Sequence, residues 1–349
     1  MKRKVAVAMS GGVDSSVTAA LLKSSGHDVI GLTMRLWGED CDSEPSVSSA
    51  REVCKAVGIE HLVLDLRGDF RRKIIDYFIN EYISGRTPNP CVRCNEYIKF
   101  GMLTKLVDLV RAERLATGHY SRILLDRMGR YNLLKALDEN KDQSYFLYRL
   151  TQKQLSLALF PLGDMTKDEV RDIAASMGLP SAHRKESQEV CFIPDDDYRG
   201  FIENERPDAV AEGDFVDRDG NILGRHRGVA FYTIGQRKGL GVSSPLGRRY
   251  VVERNVEKNQ VVLGCEDDLK ADSFVVERIN WVPMDGLDEA REMEVRVRYR
   301  HKPVKATVVP QGEKSALVRF NEPEAGVTPG QSAVFYEGDA VIGGGIIWG

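Results

Sequence analysis

The sequence has no run of about 18 consecutive apolar residues, the length that a membrane-spanning helix requires. Its basic start, MKRK, is followed by an apolar stretch too short for a signal peptide. No internal repeat or low-complexity tract is present, so repeat and fibrous classes are not indicated. We therefore expect a cytosolic (cytoplasmic) protein without membrane attachment. Its 349 residues suggest two or three globular domains.

Cysteine is scarce, with six residues in the chain. In a cytosolic protein of this size a structural disulfide framework is not expected, which leaves catalytic or metal-binding roles. Cys54 lies in a helical pattern and Cys265 follows a strand pattern, so we predict that both pack in the core. Cys41 lies in a polar stretch typical of a loop, and no role is assigned to it. The cysteines that need another explanation are Cys91, Cys94 and Cys191.

An excess of positive charge is also absent, since the net charge is −3. Basic residues nevertheless cluster in two stretches, 221–252 and 291–320, and the first of these contains no acidic residue. Such clusters are typical of a solvated protein face, and they also fit a surface that follows a phosphate backbone. Charge alone leaves both interpretations open.

The first half of the chain alternates strand and helix patterns. The segments Lys4–Met9, Val29–Met34, His61–Leu64 and Leu115–Thr117 read as buried strands. Helical periodicity marks 13–23, 70–83, 100–110, 151–159 and 167–177. Strands separated by helices predict a Rossmann-like α/β domain with a parallel sheet covered on both faces.

After about Asn204 the pattern becomes short alternating strands between Gly, Pro and Asp turns. We predict a small β-rich central domain followed by a C-terminal β-barrel. The predicted domains are a catalytic domain at 1–203, a central domain at 204–272 and a barrel domain at 273–349.

A glycine-rich turn, SGGVDSS at 10–16, follows the first strand directly and precedes the first helix. Glycines let backbone N–H groups approach an anion, serine hydroxyls add donors, and the N-terminal end of a helix favours negative charge. The turn lacks the lysine of the Walker P-loop. It resembles the pyrophosphate loop of the PP-loop ATP pyrophosphatase superfamily, which implies that a substrate oxygen is adenylated and pyrophosphate leaves.

Further motifs are more specific than this loop. They are GRTPNPCVRCN at 85–95, IKFG at 98–101, ATGHY at 116–120, NKDQSYFL at 140–147, SQEVCFI at 187–193, YTIGQRKGLG at 232–241, RYR at 298–300 and PGQ at 329–331. In this order they resemble the bacterial tRNA-specific 2-thiouridylase family over nearly the full length. The resemblance implies a sulfurtransferase that uses ATP to place sulfur on C2 of the wobble uridine of tRNA.

The resemblance also implies roles for single residues. Cys94 matches the nucleophile, Cys191 the cysteine that carries a persulfide, and Asp14 lies in the catalytic loop. The positions that match ATP-binding residues are Ala8, Met9, Ser10, Gly11, Gly12, Val13, Asp14, Ser15, Met34 and Gly118. Those that match contacts to the target base or to tRNA are Asn89, Pro90, Cys91, His119, Lys141, Asp142, Gln143, Arg298, Tyr299 and Gln331.

The implied chemistry agrees with the residue types. The C2 oxygen of uridine is a poor leaving group until ATP converts it to an adenylate, and a sulfur nucleophile then displaces AMP. Attack of Cys94 on a Cys191 persulfide releases sulfide and leaves a Cys94–Cys191 disulfide for an external reductant. The target base has to leave its stack, which costs a few kcal/mol and less in an anticodon loop.

Cys91 departs from the family pattern, in which many members have Asp at this position. Cys91, Cys94 and Cys191 are three thiolates, enough to hold a [4Fe–4S] cluster with one open iron. A zinc site requires a fourth ligand, and no Cys or His is suitably placed for it. The persulfide route, the cluster route and structural zinc are therefore the open interpretations.

Two other functions compete with thiolation: a PP-loop ligase for a small metabolite, and a non-catalytic tRNA-binding protein. Paired reactive cysteines and the basic β half argue against the first, and the intact phosphate loop argues against the second. The resemblance further implies tRNAs for Lys, Glu and Gln and a persulfide donor, either a cysteine desulfurase or a sulfur relay protein. We expect Mg²⁺ with the ATP, and a monomer.

Overall fold

The structure is a computed structural model that describes residues 3–38, 45–184, 190–242 and 248–348. These residues form a parallel sheet, a small mixed sheet and a large antiparallel sheet. Among them, no helix combines the length and the apolar character that crossing a membrane requires.

The first elements build the parallel sheet and two of its covering helices. They are β1 (Lys4–Ala8), α1 (Val13–Ser24), β2 (Asp28–Arg35), α2 (Pro45–Val57) and β3 (Glu60–Asp65). Val5, Ala6 and Val7 of β1 are completely buried, because helices cover both faces of the sheet. Cys54 of α2 belongs to this core, as predicted for it, and burial raises the pKa of its thiol to about 11. The same prediction was wrong for Cys265, which is exposed because it lies in the turn after its strand, where its N–H donates to Asp268 at 2.8 Å.

A largely helical region follows. It contains α3 (Arg67–Phe70), α4 (Asp76–Ile83), α5 (Pro90–Cys94), α6 (Leu103–Leu109), β4 (Arg114–Ala116), β5 (Arg122–Leu125), β6 (Tyr131–Leu134), α7 (Gln152–Leu157), β7 (Ala158–Leu159), α8 (Lys167–Ser176) and α9 (Tyr198–Glu205). Two π-helical stretches, Arg71–Ile75 and Asn95–Lys99, continue α3 into α4 and extend α5. The order of the parallel sheet is β3-β2-β1-β4-β7, which confirms the predicted fold class.

Two helical predictions were too long. The helix predicted at 151–159 ends at Leu157, because Ala158 and Leu159 pair in parallel with β4 as the edge strand β7. The helix predicted at 100–110 begins at Leu103, because Phe100–Met102 turn out of the preceding π-helical stretch. In both cases apolar residues at the end of the predicted helix belong to the neighbouring strand or turn instead.

The second half is built from strands. β8 (Gly213–Val216), β9 (Ile222–His226), β10 (Tyr250–Asn255) and β11 (Gln260–Gly264) form the mixed sheet in the order β10-β11-β8-β9. The remaining strands are β12 (Lys270–Trp281), β13 (Arg291–Arg296), β14 (Val304–Gly312), β15 (Ser315–Ala325), β16 (Ser332–Glu337) and β17 (Ala340–Trp348). Pairing of β12 with β17 closes these six into the predicted barrel.

The hairpin β5–β6 leaves the N-terminal half and extends the barrel sheet, where Leu134 pairs with Ala340 of β17. Arg122 on the hairpin forms an ion pair with Asp339, with a Nη2–Oδ2 distance of 2.8 Å. The sequence pattern did not indicate this hairpin. The hairpin therefore connects the N-terminal domain to the C-terminal barrel.

Candidate active site

The glycine-rich turn lies at the carboxyl end of β1, where α1 begins. Gly11 has φ +75°, and a Cβ there would lie 2.7 Å from Cβ of Ser49. The carbonyl oxygen of Gly11 accepts a hydrogen bond from Ser49 Oγ at 3.0 Å. Ser15 Oγ and Ser16 Oγ both donate to the carbonyl oxygen of Gly12, at 3.1 and 2.8 Å. The turn is thereby held in a shape that only glycine at position 11 permits.

The predicted nucleotide-binding residues come together around this turn. A Cβ on Gly118 would lie 2.8 Å from the backbone of Asp14 and Ser15, so the absence of a side chain lets the segment after β4 pack against α1. Met34 lies on the neighbouring strand β2, and the N–H of Met9 donates to Leu32 at 2.8 Å. The carboxyl ends of adjacent parallel strands are the usual place for a ligand in an α/β sheet.

Asp14 is held by two residues that the sequence did not single out for this role. Lys167 Nζ lies 2.6 Å from Oδ1 of Asp14, and the Tyr120 hydroxyl donates to the same oxygen at 2.9 Å. The side chain of Lys167 is only 6 % exposed, whereas that of Asp14 is 31 % exposed. Lys167 is the first residue of α8, whose start is fixed by a capping box between Thr166 and Glu169. The glycine-rich turn contains no lysine, but α8 places Lys167 next to it.

The three cysteines of interest are on two segments. Cys91 and Cys94 lie on α5, where Asn89 caps the helix by accepting from the Val92 N–H at 3.2 Å. Cys94 is buried, whereas Cys91 and Cys191 are exposed. Phe192 and Ile193 pack in the same apolar cluster as Cys94, which brings the neighbouring Cys191 to α5. All three are free thiols.

The pKa values of these thiols are raised. Burial raises the pKa of Cys94 to about 11, and burial followed by the charges of Cys94 and Cys91 raises that of Cys191 to about 12. The pKa of Cys91 is raised as well, because the surrounding protein removes water from its thiolate, although part of the side chain is exposed. Lys99 opposes the rise at all three positions. The three thiols therefore share one neighbourhood with Lys99.

Alkylation of Cys191 with iodoacetamide is expected to accelerate about tenfold per pH unit between pH 7 and pH 9, because only the thiolate reacts and its fraction is far from saturation. A small-molecule thiol, whose pKa is about 8.5, provides the control and levels off in this range. Peptide mass spectrometry after timed quenching measures the rate. A plateau for Cys191 near pH 8.5 would contradict the raised pKa.

Among the residues that the structure describes, no three Cys, His, Asp or Glu side chains are arranged to hold one metal ion. Cys41 and residues 187–189 of the SQEVCFI motif lie outside the described residues.

His119 is buried between aromatic rings. Its ring lies 5.9 Å from those of Phe100 and Phe160, and its Nδ1 is 2.7 Å from the Thr117 hydroxyl. Burial, assisted by the charge of Lys99, holds the pKa of His119 well below its usual value. The imidazole is therefore neutral at physiological pH and suited to hydrogen bonding with an uncharged group.

The segment Lys141–Gln143 lies beside His119. The Gln143 side-chain oxygen accepts from the Tyr120 N–H at 3.0 Å. Asp142 is buried, and its carboxylate accepts from the Ala136 and Ser144 N–H groups, from the Ser144 hydroxyl and from Arg296. The structure therefore gives Asp142 an internal role in shaping the segment, and its contact with tRNA stays a prediction.

The C-terminal barrel holds the loop that precedes α5. The Thr87 N–H donates to the Pro329 carbonyl at 2.8 Å. Gln331 Nε2 donates to the carbonyls of Thr87 and Pro88, at 3.0 and 3.3 Å, and Arg254 donates to the Thr87 hydroxyl at 3.0 Å. Gln331, predicted to contact tRNA, is thus also a link between the barrel and this loop.

Gly330→Ala is expected to destabilise the protein by about 1–3 kcal/mol more than Gly338→Ala, through crowding. Gly330 has φ +90°, and a Cβ there would lie 2.9 Å from Arg86 Cβ and from the Thr87 nitrogen. Gly338 also has positive φ, at +56°, but its Cβ would meet nothing within 4 Å. Chemical denaturation of both variants measures the difference. Equal destabilisation would show that the barrel and the loop are not in close contact.

Other predicted tRNA contacts occupy the barrel surface. The ring of Tyr299 lies 4.4 Å from that of Phe146, and Arg298 is exposed nearby in sequence. Residues of the basic stretches are exposed whether or not they form ion pairs. Arg225 and Arg227 form ion pairs with Asp214 and Glu203. Exposed cations of these stretches include Arg237, Lys238, Arg248, Arg298 and Arg300.

Comparison with known proteins covers the whole chain. Residues 3–195 match the family described as tRNA methyl transferase HUP domain, residues 199–265 the tRNA methyl transferase PRC-barrel domain, and residues 271–347 the aminomethyltransferase beta-barrel domain. The chain is 46% identical to the tRNA-specific 2-thiouridylase MnmA of Clostridium acetobutylicum, over 99% of this chain and 100% of that protein. Proteins of the same name from Heliobacterium modesticaldum and Geotalea uraniireducens are 48% and 47% identical, over 99% of this chain and 93% and 95% of theirs.

Proposed function

The chain belongs to the tRNA-specific 2-thiouridylase family, and from this premise we propose that it uses ATP to replace the C2 oxygen of a wobble uridine in tRNA with sulfur. The observation that carries the proposal is that a glycine-rich turn at the start of a helix and the free cysteines Cys91, Cys94 and Cys191 lie in one N-terminal domain. The substrates are expected to be the tRNAs for Lys, Glu and Gln.

The turn at 10–16 binds the phosphates of ATP. Its N–H groups and the N-terminal end of the 12-residue helix α1 offer hydrogen-bond donors and positive potential. Mg²⁺ bound with the nucleotide would shield the phosphate charge, and Asp14 is the carboxylate of the turn. Attack of the uridine oxygen on the α-phosphate then gives the adenylate and pyrophosphate.

The cysteines deliver the sulfur. A desulfurase or a relay protein loads Cys191, which is exposed, with a persulfide. The Cys94 thiolate attacks the inner sulfur of that persulfide, a Cys94–Cys191 disulfide forms, and the outer sulfur leaves as hydrosulfide. The hydrosulfide attacks C2 of the adenylated uridine, and AMP departs with the original oxygen. Lys99 favours the thiolate forms that these steps require.

The target base enters the N-terminal domain beside the loop before α5 that the barrel holds through Gln331. Neutral His119, the loop Asn89–Cys91, Lys141 and Gln143 surround the base. Arg298, Tyr299 and Gln331 contact tRNA from the barrel side. Exposed cations on the β half hold the phosphate backbone, the second of the two interpretations that their charge leaves open.

A second route uses the same cysteines differently. The charges of Cys91 and Cys94 act on Cys191, and as thiolates the three would bind three different irons of a [4Fe–4S] cluster, although they are not arranged around a single metal ion. Such a cluster would supply an iron that binds sulfide. The persulfide route requires only Cys94 and Cys191, the two cysteines that match the family's functional positions.

Release of pyrophosphate from ATP tests the proposed function. With unmodified substrate tRNA the rate is expected to rise at least about tenfold over the rate without tRNA, since uridine is the adenylated group. The same tRNA already carrying 2-thiouridine is the matched control and gives no rise. Equal rates in all three reactions would favour the ligase for a small metabolite, and no pyrophosphate release would favour a non-catalytic tRNA-binding protein.

A further inference from the structure

We propose that Cys91 is a resolving thiol, which attacks Cys94 in the Cys94–Cys191 disulfide and thereby frees Cys191 within the same catalytic cycle. This inference rests on the proposed function, because that disulfide arises from sulfur transfer. It assigns a role to the cysteine that departs from the family pattern.

The first argument is the position of Cys91 and Cys94 on one helical turn. Residues three apart on a helix have Cβ atoms about 5–6 Å apart on the same face. The Cα atoms of such a pair fall within the range of about 4.4–6.8 Å that a disulfide bridges, and the Cβ atoms have to approach each other by about 1–2 Å for the bond to form. The Asn89 cap fixes the start of this turn, and the π-helical stretch Asn95–Lys99 continues it. The two thiols are therefore held near each other throughout the cycle.

The second argument is access. Cys94 is 8 % exposed, so its sulfur is shielded from a reductant in solution even before tRNA binds. Cys91 is exposed and lies one turn before Cys94. The charge of Cys91 acts on both Cys94 and Cys191, which places the three sulfurs in one neighbourhood. An external thiol therefore meets the disulfide at the exposed sulfur of Cys191, whereas attack on the buried sulfur of Cys94 is left to Cys91.

The exchange balances without an added oxidant. The Cys91 thiolate forms a bond to Sγ of Cys94, the Cys94–Cys191 bond breaks, and Cys191 leaves as a thiolate that takes up a proton. One disulfide replaces another, so no net electrons move. A dithiol from solution later reduces the Cys91–Cys94 disulfide. Cys191 is meanwhile free to accept a new persulfide before that reduction.

Disulfide mapping after a single turnover tests this assignment. Full-length protein verified free of iron and zinc is loaded with a persulfide on Cys191, freed of reductant, and mixed with ATP and unmodified tRNA. The reaction is quenched with N-ethylmaleimide, and linked peptides and 2-thiouridine are quantified by mass spectrometry. One Cys91–Cys94 disulfide and one alkylated Cys191 are expected for each 2-thiouridine formed.

The Cys91→Ser variant provides the comparison, with disulfides counted per 2-thiouridine so that the amount of product does not matter. This variant is expected to retain the Cys94–Cys191 disulfide. Its Cys191 therefore accepts no second persulfide until a dithiol is added. A wild-type protein that retains the Cys94–Cys191 disulfide, links Cys91 to Cys191, or forms no disulfide would overturn the assignment of Cys91. Absence of 2-thiouridine from the wild type would instead count against the proposed function.

Discussion

Cys191→Ser is expected to abolish formation of 2-thiouridine while tRNA-stimulated release of pyrophosphate continues. The hydroxyl cannot hold a persulfide, whereas the phosphate-binding turn and Asp14 are on other segments and stay intact. Cys191 is exposed, so serine at this position leaves no cavity and folding is expected to be unaffected. Both products are measured in one reaction with labelled ATP and unmodified tRNA.

Cys94→Ser is expected to give the same loss of product at a different step. This variant still accepts a persulfide on Cys191 but does not release the outer sulfur, because serine does not attack sulfur at neutral pH. Cys265→Ser, at an exposed cysteine after β11, is the matched control and retains activity. Normal multiple-turnover activity in either active-site variant would contradict the role given to that cysteine.

Asp14→Asn is expected to reduce release of pyrophosphate by about a hundredfold to a thousandfold, because the turn loses the carboxylate that would hold Mg²⁺ beside the reacting phosphates. The same change leaves Lys167 buried without its ion-pair partner. Since Asp14 is 31 % exposed, we expect this to destabilise the protein by about 1–3 kcal/mol, less than for a fully buried pair.

The double variant Asp14→Asn, Lys167→Met separates these two effects. Removing the cation is expected to restore most of the lost stability, measured by chemical denaturation, without restoring pyrophosphate release. If the double variant regained activity together with stability, Asp14 would serve only as the partner of Lys167. Lys167→Arg is a conservative control, since it keeps the charge that holds Asp14 but changes its geometry.

The sequence was sufficient for the architecture because each signal was local. The apolar run of β1, the glycine-rich turn and the period of α1 follow one another in the first 24 residues, and the repeated alternation of strand and helix patterns up to residue 117 indicates a parallel α/β sheet. The alternation after Asn204 was likewise enough to predict the barrel. The boundaries at 204 and 273 stay predictions.

The features that the sequence did not predict depend on contacts between segments that are far apart in the chain. Lys167 lies 153 positions from Asp14. The helical pattern at 167–177 predicted α8 but did not indicate that its first residue forms a buried ion pair. Gln331 reaches Thr87 across 244 positions, and the hairpin β5–β6 joins a barrel whose strands come much later. Ala158–Leu159 looked helical because two apolar residues at the end of a helix do not differ from a short edge strand. Such pairings are decided by tertiary packing.

Sulfur transfer from labelled protein to tRNA tests the central claim most directly. Protein verified free of iron and zinc is loaded with a labelled persulfide and given ATP and unmodified tRNA. Labelled 2-thiouridine in the tRNA is the predicted result, since Cys191 carries the sulfur and Cys94 releases it. No transfer from this protein, followed by transfer after anaerobic reconstitution of a [4Fe–4S] cluster, would contradict the persulfide route and make Cys91, Cys94 and Cys191 cluster ligands.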